Sequence, residues 1–438
     1  MVGPWRVRRN PVVAARPVSA RDAWFDRRVL VMLPLGFASG LPLALSGATL
    51  QAWLTDSGVD IRTIGLLNLV ALPYACKFVW ASLLDRLQPL SIDRRRGWLV
   101  LTQTLLALVV LLLSGLDPLT RPLAIGVVAA LIAFFSATQD IAFDAYRAEL
   151  LAAQQRGPGT ALSVFGYRLG MLASGGLTLV LAARIGWQPA LSLWALVLLV
   201  LAGLSLIAPR VPPLSPEPLL TPPAWWQDLG RALLPLVGSR ELLALLLLVT
   251  LYRFGDAWVA SLSSAFLLRG AGFALEVVGY YNKTLAILAT LAGAFLGAEL
   301  LRRLGLARAL VLAAWLQAAS NLGFLWLALA PTPEVIDLCV VVIAENLAGG
   351  IGTVPLLALM MALTDARHTA VQFALLTALT ALARVFIGPV AGEVVAAAGW
   401  VSYFVLGLFA ALPGLLLAHA LGGAVAAREG VVRRPASS

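Results

Sequence analysis

The sequence predicts an all-α polytopic membrane protein: twelve transmembrane helices in two parallel six-helix repeats, with both termini cytoplasmic. Three observations carry this. Of the 438 residues, 60% are hydrophobic and only 12% charged, a balance that soluble globular chains do not have. Twelve apolar runs reach about the 20 residues that a helix needs to cross the hydrocarbon core. A series of polar and glycine positions also recurs in the second half at a nearly constant offset.

The elements follow in order. Residues 1–28 form an Arg-rich cytoplasmic tail, with Arg6, Arg8, Arg9, Arg16, Arg21, Arg27 and Arg28. It lacks the Ser-rich amphipathic pattern of a transit peptide, and no small-residue cleavage site follows the first apolar run. The first bundle, 29–208, holds spans at 29–54, 63–84, 98–116, 122–146, 160–183 and 189–208. Residues 209–241 form a cytoplasmic linker. Pro209, Pro212, Pro213, Pro216, Pro218, Pro222 and Pro223 resist helix and make a semi-rigid connector. Ala224 to Leu236 then reads either as a short interfacial helix anchored by Trp225 and Trp226 or as a structureless tether. The second bundle, 242–424, holds spans at 242–268, 276–299, 308–330, 335–362, 370–396 and 400–424, and 425–438 form a second cytoplasmic tail.

The arginines set the orientation. With the N-terminus inside, cytoplasmic segments hold 23 Arg, including Arg94, Arg95, Arg96, Arg302, Arg303 and Arg308. External loops hold four: Arg62, Arg121, Arg184 and Arg269. This meets the positive-inside rule by a wide margin. The net charge of +10 is thus a matter of topology, and the scattered arginines do not form a nucleic-acid surface. Cys76 and Cys339 are both intramembrane and say nothing of redox compartment.

The repeat shows in pairs 214 residues apart: Gly65 and Gly279, Asn68 and Asn282, Asp85 and Glu299, Arg94 and Arg308, Gln103 and Gln317. Gly186-Trp187 matches Gly399-Trp400 at 213, and Arg168 matches Arg384 at 216. Equivalent spans are six apart, so the halves have the same orientation, the parallel arrangement of major facilitator halves. Asp85-Arg86 followed by Arg94-Arg95-Arg96-Gly97 resembles the loop signature of that superfamily, with Ala81 where the pattern has Gly. An acid there, with its twin Glu299, can hold a cytoplasmic gate shut. Simple positive-inside anchoring is the other reading.

Charges inside the spans are costly unless they face a bundle interior or a wet cavity. Five cations remain there, Lys77, Arg168, Arg253, Lys283 and Arg384, with four acids, Asp140, Asp144, Asp256 and Glu345. The superfamily resemblance implies that spans one, four, seven and ten line a central cavity, and the acids fall on three of these. Asp140 and Asp144 are four apart and share a helix face. Two carboxylates that close repel when both are ionised, so the pair can carry a proton. Arg147, one turn on, can pair with Asp144, and a static network reaching Arg168 is the alternative. Asp256 has Arg253 three residues before it, and Glu345 has no local cation. The cations suit a carboxylate-bearing cargo, or each merely neutralises an acid. Gln51, Asn68, Gln139, Asn282, Asn346 and Gln372 can read sugars or amides, or simply bond helix to helix. The Gly349-Gly350-Ile351-Gly352 run with Pro355 is expected to interrupt span ten, and Gly388-Pro389 with Gly392 to do the same in span eleven.

The longer motifs resemble one family. They are Phe37-Ala38-Ser39-Gly40-Leu41-Pro42, Pro73-Tyr74 with Lys77-Phe78, Ser136 to Arg147, Gly166-Tyr167-Arg168, Leu251 to Ala257, Asn282-Lys283-Thr284, Glu345 to Gly350, Gln372 to Leu376 and Gly388 to Gly392. The chain resembles the AmpG-type muropeptide permeases from about 28 to 424. The resemblance implies a major facilitator fold and proton-driven import of anhydro-muropeptides (GlcNAc–anhydro-MurNAc with or without a peptide stem) across a Gram-negative inner membrane. It further implies a role in peptidoglycan recycling that feeds β-lactamase induction. Asp140, Asp144, Asp256 and Glu345 are then the proton-coupling set. Lys77, Arg168, Arg253, Lys283 and Arg384, with the amides, form the binding set, and Asp85, Arg86, Arg147 and Glu299 the gating set. The expected coupling ion is the proton, with no other cofactor, and the expected form is a monomer. Another bulky anion of the acetyl-CoA kind is the alternative cargo. An enzyme is disfavoured: His368 and His419 are the only histidines, with no metal-ligand spacing or Ser–His pair.

Overall fold

The structure is a computed structural model, and it describes residues 24–211, 238–364 and 369–433. The Arg-rich start and the Pro-rich linker with its expected short helix fall on 1–23 and 212–237, outside the described residues. Among the described residues, eleven helical stretches are long and apolar enough to span a membrane. They are α1 (Arg27–Asp56), α2 (Ile61–Ala81), α3 (Arg94–Ser114), α4 (Pro122–Leu150), α5 (Arg156–Ile185), α6 (Trp187–Ile207), α7 (Arg240–Gly270), α8 (Leu275–Leu304), α9 (Leu306–Leu329), α10 (Val335–Ala362) and a last stretch, Leu376–Ala420. That last stretch turns back at Gly399, where φ is 77°, and so makes two crossings, α11 (376–398) and α12 (400–420). Both described ends of the chain therefore lie at one end of the bundle, called here the terminal end; the other is the far end.

The turns at Gly186 and Gly399 are the same device in each half. Both glycines have positive φ, 86° and 77°, which an L side chain rarely adopts, and both join two helices with almost no loop. Each is followed by a tryptophan, Trp187 or Trp400.

Lipid gives no hydrophobic drive between helices, so close backbone approach matters. On α1 and α5, Gly36, Gly40, Gly166 and Gly170 interlock, and a Cβ on Gly40 would collide with the Tyr167 carbonyl. On α8 and α10, a Cβ on Gly350 would lie 2.9 Å from the Gly293 Cα. α10 is one continuous helix from Val335 to Ala362, so its glycine run and Pro355 do not interrupt it as expected. The missing side chains admit α8 instead. Likewise Gly388 and Gly392 leave α11 helical and bring it against α2, where a Cβ on Gly65 would stand 3.0 Å from the Gly392 Cα.

The real breaks are elsewhere. α7 stops at Leu251 and resumes at Phe254, with Arg253 out of helical geometry at φ −109°, ψ 19°. Gly414 of α12 packs at this break, where a Cβ would come 3.0 Å from the Tyr252 Cα. In α2 the segments Leu72–Cys76 and Phe78–Arg86 meet at Lys77, which itself keeps helical dihedrals (φ −55°, ψ −25°). Non-helical backbone also occurs at Gly47 in α1 (φ −113°, ψ −106°) and at Leu262 in α7 (φ −129°, ψ 18°).

The Arg94–Arg96 cluster is partly internal. Arg95 and Arg96 are buried, Arg95 bonds Glu149 of α4 at 2.9 Å, and Arg96 donates to the Leu206 and Ala208 carbonyls, each at 3.0 Å. Arg96 thus caps the C-terminus of α6, where cations are favourable.

Candidate functional site

Two cavities lie inside the bundle, one in each half. The C-terminal cavity has a volume of about 420 Å³ and draws on α7, α8, α10 and α11. The break in α7 turns Arg253 inward. Its Nε stands 3.5 Å from Asp256, and its Nη1 donates to Thr353 Oγ1 at 3.0 Å. Gly349 makes room for this guanidinium, since a Cβ there would lie 3.1 Å from Nη2. Glu345 accepts from the Asn346 amide at 3.0 Å, and that amide also donates to the Val342 carbonyl at 2.9 Å. Arg384 lines the same wall. Among the charged groups, Glu345 is faced by Asp256, Arg253 and Lys283.

The N-terminal cavity, about 300 Å³, is built from α1, α4 and α5. Asp140 accepts from Ser39 Oγ, and Lys77 Nζ is 4.0 Å from its carboxylate. Asp144 is paired with Arg147 at 2.9 Å, and Arg147 reaches α5 through Ser163 at 2.8 Å. Tyr167 and Arg168 complete the wall. The two acids share a helix face, but each has its own base.

Other expected residues lie elsewhere. Gln51 is engaged between the halves: its Nε2 donates to the Ser261 carbonyl at 2.6 Å, and its Oε1 accepts from Ser264 N at 3.1 Å. Asn68 joins the same carbonyl at 3.2 Å. Both line a smaller pocket of about 140 Å³ between the halves. Gln139 is fully buried and does not line the N-terminal cavity; neither of its amide atoms has a hydrogen-bond partner among the described residues. Asn282 and Gln372 are buried too. Lys283 sits where α5 meets α8, since a Cβ on Gly176 would fall 3.1 Å from the Lys283 Cβ. Glu299 bonds Arg302 and Arg303 within its own helix, at 2.6 and 2.5 Å. The side chains of Asp85 and Arg86 lie outside the described residues.

At the far end the halves are joined. Arg269 of α7 donates to the Thr55 carbonyl at 2.8 Å and to the Val59 carbonyl at 2.7 Å. Arg184 pairs with Glu276 at 3.1 Å and Arg62 with Glu393 at 3.0 Å. A two-half helical bundle, joined across one end and holding charged cavities in each half, is the architecture of an alternating-access transporter.

The Major Facilitator Superfamily model matches residues 32–386. The chain belongs to the major facilitator superfamily. This superfamily member is also 45% identical over 391 residues to the anhydromuropeptide permease of Escherichia coli K12, covering 89% of this chain and 79% of that one. An uncharacterized protein of Haemophilus influenzae is 36% identical over 400 residues, covering 90% and 94%. Among solved structures, a bacterial homologue of the human lysosomal transporter Spinster, inward-facing and occupied, superposes with a TM-score of 0.66 at 14% identity, covering 97% of this chain and 100% of that one. The superfamily member is thus a multi-pass membrane transporter, not an enzyme, and a homologue of the anhydromuropeptide permease.

Sequence reasoning did not pick out Ser39, Ser163, Tyr167 or Thr353. Ser39 and Tyr167 stand inside quoted motifs, beside residues that were picked out. Their hydroxyls carry no charge to flag them, and serine and threonine are common in any membrane bundle.

Proposed function

We propose that this transporter imports GlcNAc–anhydro-MurNAc, with or without its peptide stem, across a bacterial inner membrane by proton symport. The observation that carries the cargo is the 45% identity to the E. coli anhydromuropeptide permease along 89% of the chain. Coupling is supported by the placement of Asp140 and of Asp256 with Glu345 on the walls of the two cavities, each near a base. The cargo is polar and carries carboxylates. Importing an anion against a negative interior costs about 2.3 kcal/mol per charge per 100 mV. Protons on these acids offset that cost if they outnumber the cargo's charges.

The arginine distribution supports a cytoplasmic terminal end. On that orientation the contacts of Arg269, Arg184 and Arg62 between the halves lie on the outward side. The test is uptake of labelled GlcNAc–anhydro-MurNAc and its tripeptide form into proteoliposomes, with and without an imposed inward proton gradient. Gradient-driven accumulation supports the reading. No uptake by folded protein moves the cargo to another bulky anion.

A further inference from the structure

The C-terminal cavity holds two guanidiniums with unused hydrogen-bonding edges. Arg253 is oriented on two sides, by Asp256 at 3.5 Å and Thr353 at 3.0 Å. Its Nη2 lies over Gly349 and makes no hydrogen bond among the described residues. Arg384, on α11, makes neither a hydrogen bond nor an ion pair among the described residues, and the charged group that faces it is Arg253. Two cations side by side on one wall repel, and an anion seated between them removes the repulsion. The acids of this half lie on the Arg253 side, Asp256 at its Nε and Glu345 at the Asn346 amide, and no acid faces Arg384 among the described residues.

The other half has no such pair. Arg168 also makes no hydrogen bond among the described residues. The second arginine of its cavity, Arg147, has one terminal nitrogen on Asp144 and the other on Ser163. What sets the C-terminal pair apart is that Arg253 keeps a terminal nitrogen, Nη2, without a hydrogen bond among the described residues, and that Thr250, Thr380 and Asn346 supply neutral polar groups around it. A guanidinium fork matches the two oxygens of a carboxylate, and the match strengthens out of bulk water.

We propose that Arg253 and Arg384 together form a carboxylate receptor, with Arg384 the arm that discriminates charged from neutral cargo. Only the identity of the cargo rests on the muropeptide reading. The test is calorimetric binding to the full chain in nanodiscs. The probes are the disaccharide tripeptide and the same molecule with its carboxyls converted to methylamides. Arg384→Gln weakens binding of the carboxylate probe roughly tenfold, the scale of one charge-assisted hydrogen bond, and leaves binding of the amidated probe, which offers no carboxylate, unchanged. Arg384→Lys, which keeps the charge without the fork, falls between. Equal loss for both probes, or no loss, overturns the proposal. Should Arg384→Gln not fold, the comparison of wild type with Arg384→Lys decides by the same criterion. Should the wild type bind no muropeptide, citrate becomes the probe and thermal stabilisation the readout. Citrate stabilising the wild type and not Arg384→Gln keeps the receptor while the muropeptide reading falls. Citrate stabilising both alike, or neither, overturns the receptor as well.

Discussion

Asp140 and Asp144 lie one helical turn apart on α4, yet each has a different base: Lys77 from α2 at 4.0 Å, and Arg147 from its own helix at 2.9 Å. That division separates their roles. Asp144 is mostly exposed and bonded through Arg147 to α5, as a strut would be. Asp140 is mostly enclosed, and it holds Ser39 of α1 on one side and Lys77 of α2 on the other. A proton arriving on Asp140 would weaken both contacts, which makes it the better coupling candidate of the two. We expect Asp140→Asn, Asp256→Asn and Glu345→Gln to abolish or uncouple uptake while the protein still folds, because an amide keeps the shape and cannot ionise. The measurement is uptake against external pH. Unaltered pH dependence in all three variants would refute the coupling assignment. The charged residues were legible in the sequence because a charge in an apolar span stands out by cost alone. Their pairings were not, since Lys77 and Asp140 are far apart in the chain and meet only through the packing of α2 on α4.

At the level of elements, the apolar runs and the repeat showed where helices cross, and the Gly186 and Gly399 turns show why the two halves match at those positions. Glycine runs were harder to read. In water a Gly-rich stretch with Pro355 would suggest a break, but in lipid an unsatisfied backbone is too costly and the helix persists. The glycines of α10 then serve contact with α8. Gly350→Val therefore tests packing directly. The added side chain meets the Thr290 carbonyl and the Gly293 Cα, backbone that cannot step aside. Overpacking of this kind costs about 1–3 kcal/mol, so the thermal midpoint of the purified protein should fall. Gly203→Val on α6, where no heavy atom lies within 4 Å of a built Cβ, should leave it nearly unchanged. Equal effects of the two substitutions would mean that the α8–α10 seam is not a packing constraint. The break at Arg253 had no sequence signal beyond the charge itself, because its packing partner, Gly414, comes from another helix.

For the whole molecule, alternating access requires the far end to open, and Arg269 is the most highly bonded residue across that closure. It reaches from α7 to the end of α1, where the helix dipole is negative and the Thr55 carbonyl accepts from the Gly58 N–H, at 3.2 Å, within its own turn. Its Nε and Nη1 hold the Thr55 and Val59 carbonyls at 2.8 and 2.7 Å. Gln51 and Asn68 secure the same interface deeper in, through the Ser261 carbonyl. In contrast, Arg184–Glu276 and Arg62–Glu393 are exposed pairs, which contribute little in water. Arg269→Ala should accordingly shift the protein toward the far-open state, whereas Glu276→Gln and Glu393→Gln should not. Losing charge-assisted bonds worth roughly 2 kcal/mol changes a conformational ratio by up to about 30-fold. The shift is readable as the labelling rate of Ser263→Cys, which lines the pocket between the halves, by a membrane-impermeant thiol reagent added from the far side. Replacing Cys76 and Cys339 beforehand removes the native thiols. Faster labelling with Arg269→Ala and unchanged labelling with the two glutamate variants assigns the latch to Arg269. The same rate in all variants would place the energy of closure in the glycine contacts between α2 and α11, and uptake should then be sensitive to Gly65→Ala instead.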